Sequence, residues 1–357
     1  MSAHIRQAVT ALPAYVPGAR PTRADVAKLS SNEMPFPVQD SVLKALTGVA
    51  RGANRYPEMA GETLRAALAA RHGLSTDRVA VGNGSTALIQ HLLDTVCDEG
   101  DEVVMPWRSF EAYPICVAVA GARPVQVALS ADAHQDVDAL VRAVTARTRL
   151  LIVCTPNNPT STILTAEELT DLLGRVPEDV VVMVDEAYLD FVTDPRAGTA
   201  TTLLAEHPNL VVSRTFSKAH ALAGLRVGYL LGDGALMGAV RSVATPFGVN
   251  LPAQAAALAA LEPQALAETA HRARLVTDER ERVVARLRQD GWDVPEAQGN
   301  FYWLAVGEQT TALAEHCERA GILVRPFTGE GVRISVGTSQ DNDRVLDALA
   351  AWQRDRA

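Results

Sequence analysis

The residues best suited to covalent chemistry lie in the stretch Ser213-Arg-Thr-Phe-Ser-Lys218, which is followed by Arg226. Lysine occurs only at Lys28, Lys44 and Lys218, and only Lys218 follows an apolar run typical of a strand. A lysine amine can form an imine with a carbonyl compound, and a nearby arginine can hold a phosphate group. The pairing suggests a pyridoxal phosphate site in which Lys218 is the covalent anchor.

A carboxylate and a phenol follow another apolar run, in Val184-Asp185-Glu-Ala-Tyr188. A buried carboxylate is costly unless a cation pairs with it, and a protonated pyridine nitrogen is a suitable partner. Tyr188 is placed to bond a phenolate oxygen of the same ring. Each residue alone has a plainer interpretation, because aspartate is a common helix N-cap and tyrosine is often part of a core. Their joint occurrence with Lys218 points to cofactor chemistry.

Two further motifs follow strand-like runs. Asn158 lies in a segment held rigid by Pro156 and Pro159, and Gly82-Asn-Gly84-Ser85-Thr86 opens a predicted helix. The N–H groups and the positive end of such a helix can bind a phosphate. Arg333, in a C-terminal strand pattern, is a candidate to bind a substrate carboxylate through two hydrogen bonds. A proline-rich turn and a surface arginine are the plainer interpretations.

The whole-chain composition is that of a globular protein that binds small molecules. The 357 residues are 48% hydrophobic with a formal net charge of -9, which argues against a nucleic-acid or anionic-membrane surface. The four cysteines have no CxxC spacing and no histidine cluster, so neither a metal site nor a disulfide framework is expected. No segment has the length of a membrane span, and no signal peptide is apparent. We therefore expect a cytoplasmic protein.

The hydrophobic pattern predicts how the candidate residues are positioned. Short apolar runs alternate with amphipathic stretches from about residue 78 to 231, which is typical of a mainly parallel α/β sheet covered by helices. Ligands bind at the carboxyl ends of such strands, where the polar candidates lie. We expect a large cofactor-binding domain at 46–247. Residues 1–45 and 248–357 are expected to form a smaller α/β domain.

These motifs, in this order and spacing, resemble the fold-type I pyridoxal phosphate aminotransferases, in the branch of histidinol-phosphate and aromatic amino acid aminotransferases. The resemblance extends over almost the whole chain, from Leu12 to Thr338. It implies a ping-pong transfer of an amino group between an amino acid and a 2-oxo acid, in a homodimer whose subunits share each active site. The cofactor that it implies is pyridoxal 5'-phosphate.

The resemblance also implies the roles of individual residues. Lys218 would carry the cofactor, Asp185 would pair with the pyridine nitrogen, and Tyr188 and Asn158 would hold the ring oxygen. Phe110 would stack on the ring. Phosphate binding is implied for Gly84, Ser85, Thr86, Thr215, Ser217 and Arg226, with Tyr56 from the second subunit, and substrate binding for Arg333, Arg325, Asn32 and Tyr15.

The substrate prediction depends on two short segments. Trp107-Arg-Ser-Phe-Glu and Pro159-Thr-Ser-Thr162 resemble the aromatic group, whereas the histidinol-phosphate group more often has tyrosine in place of Phe110 and glycine in place of Ser161. Arg325 resembles the arginine that meets the phosphate of histidinol phosphate, but aromatic members carry it too. The residues favour phenylalanine, tyrosine or tryptophan as the substrate, with histidinol phosphate as the alternative.

The same scaffold also occurs in proteins with a different activity. A related lyase such as a phosphothreonine decarboxylase shares it, and this interpretation stays open. Some transcription regulators contain the fold as well, but they carry a DNA-binding module for which the residues before Asn32 leave no room.

The chain departs from the family pattern directly after Lys218. An aromatic residue is common in the family at the position of His220, and glycine is common at that of Ala221. We expect His220 to pack structurally and the loop to shift if Ala221 needs a positive φ.

Overall fold

The computed structural model describes Ile5, Thr10, Leu12, Gly18, Arg23 and residues 25–356. Within these residues the strands are β1 (Ala27–Lys28), β2 (Val79–Gly82), β3 (Glu102–Trp107), β4 (Arg123–Ala128), β5 (Thr148–Cys154), β6 (Val181–Asp185), β7 (Leu210–Thr215), β8 (Gly228–Leu231), β9 (Phe301–Leu304), β10 (Ile322–Leu323), β11 (Arg325–Phe327) and β12 (Gly331–Ser335). The α-helices are α1 (Asp40–Gly48), α2 (Glu62–His72), α3 (Ser85–Val96), α4 (Ala112–Ala120), α5 (Val137–Arg142), α6 (Ala166–Arg175), α7 (Gly234–Val243), α8 (Leu251–Ala260), α9 (Pro263–Gln289), α10 (Thr310–Arg319) and α11 (Ser339–Arg354).

The largest sheet of the described residues has seven strands in the order β2-β8-β7-β6-β5-β3-β4. The pairs from β4 to β7 are parallel, and β8 runs antiparallel to both β2 and β7. Each strand coincides with an apolar run of the sequence between residues 78 and 231. The predicted mainly parallel α/β sheet is therefore confirmed.

The large sheet is buried on both faces because consecutive residues of its strands are apolar. In β5, Leu151 and Val153 join one core, whereas Leu150 and Ile152 join the other, as the alternation of side chains along a strand requires. Helices α3, α4 and α7 cover the second face, and helices including α2, α5, α6 and α8 cover the first. This packing fixes the carboxyl ends of β5, β6 and β7 side by side.

The C-terminal part forms a separate core around two small sheets. Strands β9, β11 and β12 form an antiparallel sheet in the order β11-β12-β9, and β1 pairs in parallel with β10. Ala27 and Lys28 therefore pair with the C-terminal part of the chain. The hydrophobic pattern does not predict β11, because Pro326 interrupts it and proline is tolerated only at a sheet edge.

The predicted boundary at residue 247 assigns α8 to the small domain. However, α8 contributes Ala253, Ala256 and Ala257 to the core of the large sheet, and α1 contributes Val42. These contacts favour a large unit that includes α1 and extends through α8, while the division into two domains stays a proposal. No helix among the described residues is both long and apolar enough to cross a bilayer.

Candidate active site

The predicted site residues converge at the carboxyl ends of three adjacent strands. Asn158 follows β5, Asp185 ends β6 and Lys218 follows β7. These side chains line one cavity of about 460 Å³. Of the predicted site residues, those that line it are Ser85, Thr86, Phe110, Asn158, Asp185, Tyr188, Thr215, Ser217, Lys218 and Arg226.

Lys218 presents a half-buried amine to this cavity. Its Nζ donates to the carbonyl oxygen of Ser31 at 3.2 Å and lies 5.3 Å from the centre of the Tyr188 ring. Burial, with the nearby Arg333 guanidinium, lowers the pKa of Lys218 to about 7. A large fraction of this amine is therefore neutral near physiological pH, as a nucleophile or general base requires.

Asp185 is a buried carboxylate that is 3% exposed. Its Oδ2 accepts a hydrogen bond from the Tyr113 hydroxyl at 2.7 Å, and its Oδ1 accepts one from the Ala187 N–H at 3.1 Å. Among the described residues no ion pair includes Asp185, and burial raises the pKa of this carboxyl group to about 6. A cationic nitrogen in the cavity would supply the charge that the carboxylate lacks.

Tyr113 is a site residue that the sequence pattern does not identify. It is fully buried in α4 and makes an edge contact with Phe110, with ring centres 5.4 Å apart. Of these two aromatic residues, the resemblance to the aminotransferases implies a role only for Phe110. Spacing alone could not predict that the Tyr113 hydroxyl bonds a carboxylate 72 residues further along the chain.

The residues predicted to bind the substrate connect the two parts of the chain. Arg333 donates to Asn158 Oδ1 at 2.5 Å and to the Ser30 carbonyl oxygen at 2.6 Å. Asn32 donates from Nδ2 to the Tyr188 hydroxyl at 3.1 Å. The predicted substrate residues Arg333 and Asn32 therefore contact predicted cofactor residues directly.

Hydrogen bonds of Ser161 hold the loop that carries Asn158 in place. Its backbone has φ of 68°. Its buried Oγ donates to the Phe301 carbonyl oxygen at 2.8 Å and accepts from the Gln298 and Gly299 N–H groups at 3.1 and 2.7 Å. The loop after β5 is thus attached to the start of β9.

An anion cradle lies at the first turn of α3. Gly84 precedes the helix with φ of 83°, and a Cβ atom there would clash with the Arg226 guanidinium. Arg226 Nη1 contacts Ser217 Oγ at 3.3 Å, and the Ser217 N–H donates to Thr215 Oγ1 at 3.0 Å. A guanidinium, hydroxyls and a helix N-terminus facing one space are suited to a phosphate group.

The loop that carries Lys218 contains the two residues that depart from the family pattern. Ala221 has φ of 59°, in the left-handed region that glycine adopts most easily. The His220 ring packs on Phe216 with ring centres 4.9 Å apart. A packing role for His220 therefore fits its surroundings better than proton transfer does.

Two further predicted residues, Tyr56 and Arg325, do not line the cavity. Tyr56 is 82% exposed and stacks on Phe247, with ring centres 4.7 Å apart. Arg325 forms an ion pair with Glu111. Tyr15 lies outside the described residues.

The donor set fits pyridoxal 5'-phosphate. Asp185 is a buried carboxylate suited to a ring N–H⁺, and Lys218 is an amine suited to the aldehyde. The absence of a side chain at Gly84 allows the Arg226 guanidinium to lie against the start of α3, where both face the cavity and are suited to a phosphate. Phe110 and Tyr188 supply aromatic walls for a planar ring.

Comparisons with known proteins agree with this geometry. The family model of class I and II aminotransferases matches residues 24–349. The chain is 48% identical over 353 residues to an aromatic amino acid aminotransferase of Thermobifida fusca, with 98% of each chain covered. It is 45% identical over 357 residues to the aromatic amino acid aminotransferase of Streptomyces coelicolor, with 99% of each covered.

Among solved structures, the histidinol-phosphate aminotransferase of Sinorhizobium meliloti in complex with pyridoxal-5'-phosphate superposes with a TM-score of 0.90 at 26% identity, covering 100% of this chain and 99% of that one. The resemblance predicted from the motifs is confirmed. The chain belongs to the class I and II aminotransferase family.

Proposed function

We propose that this protein transfers the amino group of an aromatic amino acid to a 2-oxo acid with pyridoxal 5'-phosphate as its cofactor. The observation that carries the proposal is the convergence of the low-pKa Lys218 amine and the buried Asp185 carboxylate in one cavity. The aromatic preference is supported by the names of the relatives at 45–48% identity. The side chains of Phe110, Ile115 and Tyr188, which line the cavity, also suit an apolar substrate.

The chain's own residues have distinct tasks in this proposal. When bound, pyridoxal 5'-phosphate supplies an electron-accepting ring that stabilises negative charge at the substrate Cα. Asp185 keeps the ring nitrogen protonated, while Tyr188 and Asn158 hold the ring oxygen. Thr86 and the residues of the cradle hold the phosphate.

Lys218 and Arg333 act on the substrate. Arg333 binds the substrate carboxylate and so orients the Cα–H bond toward Lys218. The neutral Lys218 amine removes the Cα proton and returns a proton at the end of the half-reaction. A first amino acid leaves as its 2-oxo acid, and a second 2-oxo acid is then aminated in the same site by a ping-pong sequence.

We further propose a cytoplasmic homodimer in which Tyr56 reaches the phosphate of the partner subunit. Its 82% exposure beside the exposed Met59 and Phe247 suits a surface that a second subunit covers. The four cysteines are free, which suits a reducing compartment.

The assignment of Lys218 is tested by Lys218→Ala. We expect loss of the visible absorbance band of the lysine-linked cofactor and a fall in kcat of at least about 10³-fold, because both the covalent anchor and the general base are removed. Lys44→Ala, at an exposed helix position, is the matched control and should keep both. A Lys218→Ala protein that retains the band and turnover would disprove the assignment.

The substrate is tested by comparing kcat/KM for L-phenylalanine, L-tyrosine and L-histidinol phosphate. The histidinol-phosphate alternative is retained because the Sinorhizobium meliloti enzyme of that name shares the fold along the whole chain. We expect the aromatic amino acids to be preferred. A higher kcat/KM for L-histidinol phosphate would reverse the choice, and release of CO2 would indicate a lyase.

A further inference from the structure

The hydroxyl of Tyr188 is a buried group that can donate a hydrogen bond into the cavity. Tyr188 lines the cavity and is buried. Burial raises the pKa of this phenol, so the hydroxyl keeps its proton. Its oxygen accepts a hydrogen bond from Asn32 Nδ2 at 3.1 Å, and it donates to no acceptor among the residues that the structure describes. The proton is therefore available to a ligand in the cavity.

Asn158 offers a second donor to the same space. Its Oδ1 accepts a hydrogen bond from Arg333 Nη1 at 2.5 Å, which leaves the Nδ2 hydrogens to donate. Asn158 and Tyr188 both line the cavity. Two donors together suit an oxygen that carries negative charge and no proton, as the ring oxygen of pyridoxal 5'-phosphate does in the proposed function.

Ser335, at the end of β12, holds the side chain of Asn32. Ser335 Oγ donates to Asn32 Oδ1 at 3.0 Å and accepts from the Asn32 N–H at 2.8 Å. Both residues are buried, and neither lines the cavity. Ser335 can therefore act on the cavity only through another side chain, and Asn32 connects it to Tyr188.

The backbone of Asn32 is fixed as well. Its φ of 52° lies in the left-handed region, which asparagine tolerates better than most residues. Its carbonyl oxygen accepts a hydrogen bond from Asn300 Nδ2 at 3.2 Å. With the bonds to Ser335 and Tyr188, each polar group of Asn32 has a partner, so the amide has a defined position.

The proton of the Ser335 hydroxyl determines which way the amide points. In the opposite orientation, Asn32 Nδ2 would face Ser335 and Asn32 Oδ1 would face Tyr188. The serine oxygen would then accept from two N–H groups, and its own buried proton would lose the acceptor that it has now. Leaving a buried donor without an acceptor is costly. Nδ2 is therefore directed at Tyr188, whose proton cannot be donated to Asn32.

We propose that Ser335 is a positioning residue, which orients the Asn32 amide so that the Tyr188 hydroxyl donates its proton to the ring oxygen of the cofactor. The inference deepens the proposed function and rests on it. Without the serine hydroxyl the amide can turn over, and Asn32 Oδ1 then competes with the ring oxygen for the Tyr188 proton. The negative charge on the ring oxygen loses part of its stabilisation.

This loss can be measured in the holoenzyme from the visible absorbance band of the lysine-linked cofactor. The band depends on a proton at the nitrogen that joins Lys218 to the cofactor. Hydrogen bonds to the ring oxygen stabilise the negative charge that remains when this proton leaves, so a weaker bond raises the pH at which the band is half lost. We call this pH the midpoint.

The test compares the midpoints of the wild type and its variants. We expect a rise of about 0.5 in Ser335→Ala and of about 1 in Tyr188→Phe, because part or all of one hydrogen bond to a charged oxygen is lost. Ser335→Thr retains a hydroxyl and should keep the wild-type midpoint. Ser213→Ala is the control and should also keep it, because this buried strand serine has no side-chain partner among the described residues.

A double variant identifies the route of the effect. In the Tyr188→Phe background, Ser335→Ala should cause no further rise, since the hydroxyl that it directs is absent. An equal rise in both backgrounds, or an unchanged midpoint in Ser335→Ala alone, would overturn the proposal.

A second variant serves if Ser335→Ala does not fold. Asn32→Gly suits the positive φ and removes the amide through which Ser335 acts. It should raise the midpoint in the wild-type background and leave that of Tyr188→Phe unchanged. A midpoint that does not respond to Asn32→Gly would equally contradict the proposal.

These titrations need bound cofactor but no turnover. A protein that binds pyridoxal 5'-phosphate and fails to transaminate L-phenylalanine would refute the proposed substrate and leave the midpoints measurable. A midpoint that does not depend on Ser335 would refute only the role of this residue. A protein that never binds the cofactor would refute both proposals.

Discussion

At the scale of single residues, the site contains a carboxylate and an amine whose pKa values the fold shifts away from their ordinary values. Burial raises the pKa of Asp185 to about 6 and lowers that of Lys218 to about 7. Both shifts oppose the charged form, so each group destabilises the folded apoenzyme when it is ionised. The binding of a cationic ring next to Asp185 would offset this cost.

Asp185→Asn should therefore stabilise the apoenzyme while it abolishes activity. Because the pKa of Asp185 in the folded chain, about 6, exceeds the value of about 3.9 for an unfolded aspartate, ionisation costs about 3 kcal/mol at pH 8. We expect the free energy of unfolding in urea to rise by about 1–3 kcal/mol, the lower values reflecting the altered hydrogen bond from Ala187.

The pH dependence of this gain identifies its origin. Below about pH 4 both folded and unfolded wild-type chains are protonated at Asp185, so the advantage of Asn should vanish there. It should develop as the pH rises from about 4 to about 6 and stay constant above that. A gain that is the same at pH 4 and pH 8 would mean that desolvation of the carboxylate is not its source.

Most residues of the site could be predicted from the sequence because each follows a strand, and the strands are parallel. Lys218, Asp185 and Asn158 are three examples. The contacts that orient them were not predictable in this way. Tyr113 bonds Asp185, and Glu111 bonds Arg325, although the partners are far apart in the sequence. Neither contact produces a periodic pattern of hydrophobic residues that could predict it.

At the scale of elements, the loop from β7 to β8 positions Lys218 by means of a strained residue. Ala221 has φ of 59° and its N–H donates to the Lys218 carbonyl oxygen at 2.8 Å. The left-handed conformation costs an alanine about 1–2 kcal/mol. The loop thus keeps the turn that glycine would favour, although the sequence has alanine.

Ala221→Gly should raise the free energy of unfolding by about 0.5–1 kcal/mol, since relief of the strain exceeds the added entropy of the unfolded chain. Ala285→Gly, at an exposed position inside α9, is the control and should lower it by about 1 kcal/mol. Urea unfolding of both variants measures the difference. Equal losses in the two would contradict a left-handed conformation at Ala221.

Element positions can be predicted better than element directions. The apolar runs indicate the strands of the large sheet, because burial on both faces leaves a continuous signal. They do not indicate that β8 is antiparallel, since hydrophobicity is the same in both directions. The placement of α8 on the large core rather than the small one has a similar cause, because an alanine-rich helix suits either surface.

At the scale of the whole molecule, the proposed shared active site makes activity a property of the dimer. Lys218→Ala and Tyr56→Ala should each be impaired alone. Their mixture, after subunit exchange, should recover about a quarter of the wild-type sites, because half of the dimers are hybrids and each hybrid has one intact site. Activity is followed with L-phenylalanine, and sedimentation confirms that dimers are present.

If the mixture were no more active than its components, the shared site would be contradicted. Tyr56 and Lys218 of one site would then belong to the same chain, or Tyr56 would have no role. Mixing either variant with wild-type protein is the reference for exchange. Each of these mixtures should retain activity in proportion to its wild-type sites.

The hydroxyl of Ser161 has a mechanical consequence for such a molecule. Its one donated and two accepted hydrogen bonds connect the loop that carries Asn158 to the start of β9. The C-terminal part therefore cannot move away from this loop unless all three hydrogen bonds break. A glycine at this position would relax the backbone but remove the whole set of bonds in a single step. At Ser161, a strained backbone conformation therefore accompanies the hydrogen bonds that stiffen the cleft where Arg333 meets Asn158.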